Sequence, residues 1–206
     1  DWIRSLCAKA PSKFTQIARN PERSVEIGGD NQVFAPIYGA PFVRDLEGGR
    51  RYGDIASFND LVRLTYMLPS LHHGGFVTCE PCDVPVNKRH LDMLLAHMTL
   101  SDKPHLGAIT EMSRAQDSVD MAEIVFGKEV MDANCVIMGN VNTNSPLLVD
   151  KVVTEAARVY SSRGQGMVVV PFILSGAMGP VSTAASVAQA MAEAMMVCAY
   201  IQLLQP

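Results

Sequence analysis

Two hydrophobic rhythms alternate along the chain. Short apolar and β-branched runs fall at 33–37, 75–79, 105–109, 135–139 and 168–174. They are apolar throughout rather than alternating, which suits strands covered on both faces of a parallel sheet. Between them the spacing turns helical. Leu61, Leu64 and Leu68 share one face, after Ser57 and Asp60 spaced as a capping box. Leu91, Leu94, Leu95 and Met98 do the same beyond Pro85, a residue suited to a helix start. Ser113 with Gln116 is placed to cap a helix carrying Met121, Ala122 and Val125, and Gly127 sits where that helix should stop. Ser145-Pro146 is expected to open a further helix with Leu148, Val149, Val152, Val153, Ala156 and Val159 as its apolar stripe. A last helix is expected from about Ser182 to Leu204.

Strands recur every roughly 30 to 40 residues, the period of a βα unit in a parallel α/β fold. The expected fold class is therefore α/β, a TIM (β/α)8-type barrel. About five units are visible, and a complete barrel takes about 250 residues, so the barrel is expected to be incomplete in these 206 residues. The expected division is an N-terminal helix and linker over 1–32, then the partial barrel over 33–206.

Composition narrows the classes of partner. The net charge is −4 and the pI near 5.7, which gives no reason to expect nucleic acid or an anionic membrane. The only basic cluster, Lys88-Arg89-His90, is explained by a solvated helix face. Five scattered cysteines and the absence of a signal-peptide pattern in Asp1-Trp2-Ile3-Arg4 point to a cytoplasmic protein with reduced thiols. No charge occurs between Arg163 and Glu193. Pro171, Gly176, Gly179 and Pro180 interrupt that stretch, and its apolar run is shorter than the ~20 residues of a spanning helix. A buried strand, a turn and a packed helix are expected there.

In parallel α/β folds, functional groups gather at the carboxyl ends of strands. Those ends offer Tyr38 and Gly39, then Thr78, Cys79 and Glu80, then Thr110 and Glu111, then Asn140, Asn142, Thr143 and Asn144, and finally Ser175, Gly176 and Met178. Each has a plainer explanation. Glu80 and Glu111 can cap a helix or pair with a neighbouring loop, and the asparagines can satisfy turn backbone. The Gly176-Ala177-Met178-Gly179-Pro180 turn could cradle an anion at a helix start, but it lacks the phosphate-loop lysine and the dinucleotide spacing. Tight packing of that loop is the better explanation.

The stretch HHGGFVTCEPCDVP, residues 72–85, looks at first like a ligand cluster. A structural zinc site usually needs a second Cys-x-x-Cys or two suitably spaced histidines. No second pair exists, and His72 and His73 are adjacent, so they point apart. Pro81 and Pro85 make the motif an extended turn rather than the helix start of a redox pair. A strand end with incidental thiols at Cys79 and Cys82 is the expected reading, and no metal site is expected.

Three segments carry a resemblance: TCEPCDVPVNKRHLD, GNVNTNSPL and PFILSGAMGPVSTAASVAQAMAEA. They resemble the trimethylamine methyltransferase family, from about Tyr38 onward. The resemblance implies a TIM-barrel enzyme that moves a methyl group from a methylated amine to the cobalt of a corrinoid protein. The amine would be trimethylamine or a quaternary amine such as glycine betaine. The corrinoid would come with a partner protein, and a homo-oligomer is expected. On that basis Tyr38, Glu80, Glu111, Asn140, Asn142 and Ser175 are the expected substrate-binding residues, with no catalytic residue named. Two alternatives stand beside it. One is a barrel-derived protein that binds methylammonium compounds without turnover. The other is a zinc-thiolate enzyme centred on Cys79 and Cys82.

Overall fold

The computed structural model describes residues 1–205. The chain runs α1 (Trp2–Cys7), β1 (Lys13–Gln16), a 3-10 turn (Pro21–Arg23), β2 (Val25–Gly28), β3 (Phe42–Asp45), β4 (Gly49–Tyr52), α2 (Ile55–Met67) and α3 (Arg89–Leu100). It continues with β5 (Leu106–Gly107), α4 (Met112–Phe126), α5 (Lys128–Ala133), β6 (Met138–Thr143), α6 (Lys151–Ser162), β7 (Gly166–Pro171) and α7 (Thr183–Leu204).

The central sheet is parallel and ordered β5-β6-β7. Two irregular segments extend it beyond β5. Gly74 N donates to Pro104 O at 2.8 Å and Leu106 N to Gly75 O at 2.9 Å. Gly39 N donates to Val77 O and Glu80 N to Ala40 O, both at 2.8 Å. Partner numbers rise together in each pair, so these contacts are parallel too. The runs at 33–37 and 75–79 thus lie beside the sheet as expected, but not as regular strands. The physical reason is local. Gly75 takes φ +67, and the Phe34 carbonyl accepts from both His72 N and His73 N instead of continuing a ladder. The run at 105–109 yields only the two residues of β5, and β6 starts three residues later than the apolar run suggested.

In the expected N-terminal segment 1–32 the helix is present as α1, and most of the expected linker is a hairpin. The hairpin is the antiparallel β1–β2 pair. The fully buried Gln16 ties that hairpin to the sheet, donating to His105 O at 2.9 Å. Ile17 N also donates to Cys135 O at 2.8 Å. A second hairpin, β3–β4, ends against the 79–82 turn. A Cβ on Gly53 would stand 2.6 Å from Glu80 O, so only glycine fits there.

Helix starts were partly legible. Ser182 caps α7, accepting from Ala185 N, and Gly127 ends α4 at φ +84, as expected. α2 starts before the expected box, because Asp54 is its N-cap and accepts from Ser57 N at 2.7 Å. α4 has no side-chain cap; Gln116 donates to Asp120 instead. α3 starts at Arg89, after a turn closed on Pro85 O. α6 starts at Lys151, because Leu147 takes φ +57 and interrupts the helical path.

The buried face of α2 is Phe58, Val62 and Thr65, while Leu64 and Leu68 are exposed. Burying an aromatic or aliphatic side chain is worth about 1.5–3 kcal/mol, so this face, packed against α3, sets the helix's rotation. Lys103 closes its far end. Its buried ammonium donates to Thr65 O, Leu68 O and Leu71 O at 2.7–2.9 Å, satisfying carbonyls a helix end leaves free.

α7 is not the packed helix expected. Only Glu193 and Val197 are buried, and Val187, Met191, Met195 and Met196 are exposed. It rests on α1, α6 and β7 along one side. Its length and composition would allow it to cross a membrane, but Glu193, at mid-helix, is fully buried in a polar cluster of this chain. That favours packing within the protein.

Candidate functional site

Strand geometry decides which side chains reach the carboxyl end of the sheet. A Cβ on Gly139 would meet Tyr160 of α6 and Met167 at 2.8–2.9 Å, so odd-numbered positions of β6 face the helices. Even-numbered positions face the other way. Asn140 and Asn142 therefore share the helix-free face, opposite Val168 and Val170 of β7 in register.

Asn140 is buried, with 5% of its surface exposed. Its Oδ1 makes no hydrogen bond within the chain. Thr78, at the end of its own run, is likewise buried with an unpartnered Oγ1. Buried polar atoms nearly always find a partner; His90 Nδ1 and His97 Nδ1 also lack one elsewhere in the chain, so it is the place at the strand ends that makes Asn140 and Thr78 binding candidates. Tyr38 stands beside Asn140. Burial of its hydroxyl raises the pKa, the Asn140 amide pulls it back down, and the Glu80 carboxylate adds to the rise. The phenol stays protonated at neutral pH. Of the six expected site residues, Tyr38, Glu80 and Asn140 are thus brought together.

Glu80 is not a free charge. Arg89 donates to its Oε2 at 3.2 Å, and the same guanidinium is fixed by two bonds to Val84 O. The basic cluster at Lys88-Arg89-His90 is not a solvated face. Lys88 pairs with Asp92, Arg89 with Glu80, and the buried His90 with Asp117 at 2.7 Å.

The other expected residues stand apart. Asn142 is exposed on the Asn140 face, one pleat nearer the strand end. The Glu111 carboxylate is exposed and pairs with Arg114 at 3.3 Å. Ser175 is exposed and its Oγ bonds Ser186 Oγ at 2.9 Å. The glycine turn beside it is closed on itself. Gly176 N donates to Gly179 O, and Ala177 N and Met178 N both donate to Leu174 O. Those amides are taken, so the turn packs rather than cradling an anion.

Reasoning from sequence missed Glu193. It accepts from Thr143 Oγ1 at 2.6 Å, Ser145 Oγ at 2.7 Å, Leu147 N at 2.9 Å and Gln189 Nε2 at 3.0 Å. Burial pushes its pKa up, but these four donors outweigh that and bring it to about 2. The signal was present: Glu193 is the sole charged residue after Arg163.

The Cys79/Cys82 pair does not form a metal site. Cys79 is buried and Cys82 exposed. Burial first, then Asp54, Cys82, Glu80 and Asp83, pushes the Cys79 thiol up to about 11, far from a thiolate. His72 Nδ1 accepts from Phe34 N, and His73 uses both ring nitrogens, with Gly75 N and Gln16 Oε1. Among the described residues no group of three or more His, Cys, Asp and Glu is arranged for a metal.

Comparison with known proteins now adds to this geometry. The profile of the family described as Trimethylamine methyltransferase (MTTB) matches residues 1–206. The chain is 35% identical over 207 aligned residues to the glycine betaine methyltransferase of Desulfitobacterium hafniense (strain Y51). That alignment covers all of this chain and 43% of the relative, so the chain spans less than half of the relative's length.

Proposed function

The chain belongs to the trimethylamine methyltransferase family, and we propose that the complete protein transfers a methyl group from a quaternary amine of the glycine betaine type to the cobalt of a corrinoid carried by a partner protein. One observation carries the choice of amine: the 35% identity to a glycine betaine methyltransferase extends along the whole chain. The sequential parallel order of the 37–40 and 74–80 segments with β5, β6 and β7 supports a TIM barrel whose remaining units lie outside this chain.

The residues fit such a substrate. A quaternary ammonium is a bulky cation with an apolar skin, held by aromatic faces rather than by hydrogen bonds. Tyr38 supplies that face. The substrate's carboxylate needs donors, and the amides of Asn140 and Asn142 lie one pleat apart on the same face. The Asn140 Oδ1, which has no partner within the chain, is an acceptor and suits the positive skin of the ammonium, while the NH2 group of the same amide is the donor for a carboxylate.

The ammonium charge vanishes as the methyl group leaves. A bare carboxylate against it would hold the substrate more tightly than the transition state and slow transfer. Glu80 avoids this because Arg89 offsets its charge. The chain's own contribution is then positioning: Tyr38 and the asparagines would hold the amine so that one N-methyl group is presented outward. The leaving group is a neutral tertiary amine, so no general acid is required. Cobalt(I) in the corrinoid supplies the nucleophile.

The test is direct. The complete protein is mixed with its reduced corrinoid protein and glycine betaine or trimethylamine, and methyl-cobalt formation is followed by absorbance. Turnover of glycine betaine with little from trimethylamine is expected. No methyl-cobalt from any methylated amine would overturn the reading.

A further inference from the structure

We propose that Glu193 is a positioning residue for the substrate-facing asparagines, acting through the loop that follows β6. This rests on the functional reading above and deepens it. Asn142 and Asn144 are exposed on either side of Thr143, and Thr143 alone turns toward the helices. There its hydroxyl donates to Glu193 Oε2, which also accepts from Ser145. Glu193 Oε1 accepts from the backbone of Leu147, a residue held at φ +57. Left-handed backbone at a leucine persists only where its surroundings hold it.

One carboxylate therefore grips the loop at three successive odd positions, 143, 145 and 147. Asn142, just before the first of them, and Asn144, between the first two, are turned outward. The alternation fixes the outward direction of the asparagines from behind. Gln189, one helical turn before Glu193, donates to the same carboxylate at 3.0 Å and to Met178 O at 3.4 Å. The grip on the β6 loop is thus coupled to the turn after β7. A charged acceptor suits this task better than a neutral one, because three of its four donors are hydroxyls or backbone N–H groups that charge strengthens. Glu193 is fully buried and touches no substrate-facing surface, so it acts only through the loop.

The test uses the complete protein carrying Glu193→Gln or, as a milder change from the loop side, Thr143→Val. Amide hydrogen exchange at Leu147 and steady-state kinetics with the preferred amine are measured together. Glu193→Gln is expected to speed Leu147 exchange and raise KM each by about tenfold, with kcat within threefold. Thr143→Val should move both in the same direction by less. Glu193→Asp should recover part of the lost KM. Unchanged Leu147 exchange in both variants overturns the grip. Faster exchange with unchanged KM, or a fall in kcat alone, overturns the positioning role. A parent protein that turns over no methylated amine overturns the functional reading instead, and Leu147 exchange then judges the grip by itself.

Discussion

The two ends of the parallel sheet differ in how fully their buried polar groups are bonded, with His97 Nδ1 the one such histidine atom near the entering end that lacks a partner. At the entering ends, Gln16, His73, His105 and Gln165 are buried and bonded within the chain. Gln165 alone donates to Met131 O, Asn134 O and Arg163 O. At the leaving ends, Asn140 and Thr78 are equally buried but each keeps an atom without a partner. A satisfied polar cluster adds stability, whereas an unsatisfied one lowers it. The entering end therefore serves the fold, and the leaving end is where the proposed site lies.

Acid should break the entering end first, with the largest effect. Burial takes His73 and His97 down to about 3 and also lowers His105. These histidines are neutral in the fold and gain a proton on unfolding below the ordinary value near 6.5. Their contribution is present above pH 6.5 and is lost as pH falls toward 3. At pH 4 the loss is on the order of 3 kcal/mol for each of the two lowest, enough to unfold a marginal domain. Urea midpoints measured from pH 7 to 4 should fall steeply, and less so in His73→Gln. A flat profile would contradict the neutral cluster. Next in size, Lys103→Met should cost about 2–4 kcal/mol in urea denaturation at pH 7, because three carbonyls in the last turn of α2 and just after it lose their donor. A midpoint within error of the parent would show that water replaces the ammonium there.

The same division explains what could be read from the sequence. Which side chains reach the leaving end was legible because their positions there are fixed by strand period. Tyr38, Glu80 and Asn140 were found by counting to the end of each apolar run. The rotation of α2 was not legible. Leu61, Leu64 and Leu68 repeat at helical spacing, but so do Phe58, Val62 and Thr65, and only the packing against α3 chooses between them. The irregular segments at 33–37 and 75–79 were misread as strands because apolar content reports burial, not hydrogen-bond regularity. Glu193 was passed over because it marked the edge of an uncharged stretch. A lone charge inside an otherwise apolar helix is itself a sign of a buried polar partner.

Asn140→Leu sharpens the comparison from the other side. It replaces an amide whose oxygen already lacks a partner by an apolar side chain of the same branching, and gives up the amide's interaction with Tyr38. Stability should change by less than about 1 kcal/mol in either direction. Amine binding, measured by calorimetry on the complete protein, should weaken tenfold or more. A side chain placed for the fold would show the reverse: a large loss of stability with affinity preserved. Stability lost without any change in affinity would therefore move Asn140 to the structural side of the division.

Glu111→Gln should have the smallest effect, and its smallness is the point. Glu111 also lies at the leaving end, one residue before α4, so position alone would class it with Asn140. Its carboxylate is 58% exposed and bound to Arg114 three residues on. Exposed pairs of this kind are worth at most about 1 kcal/mol. The substitution should lower the unfolding free energy measured in urea by less than about 0.5 kcal/mol and leave KM within twofold, with both effects shrinking further at high salt. A KM raised tenfold would place Glu111 in the site. Burial with an unmet hydrogen bond would then no longer separate binding residues from bystanders at this end of the sheet.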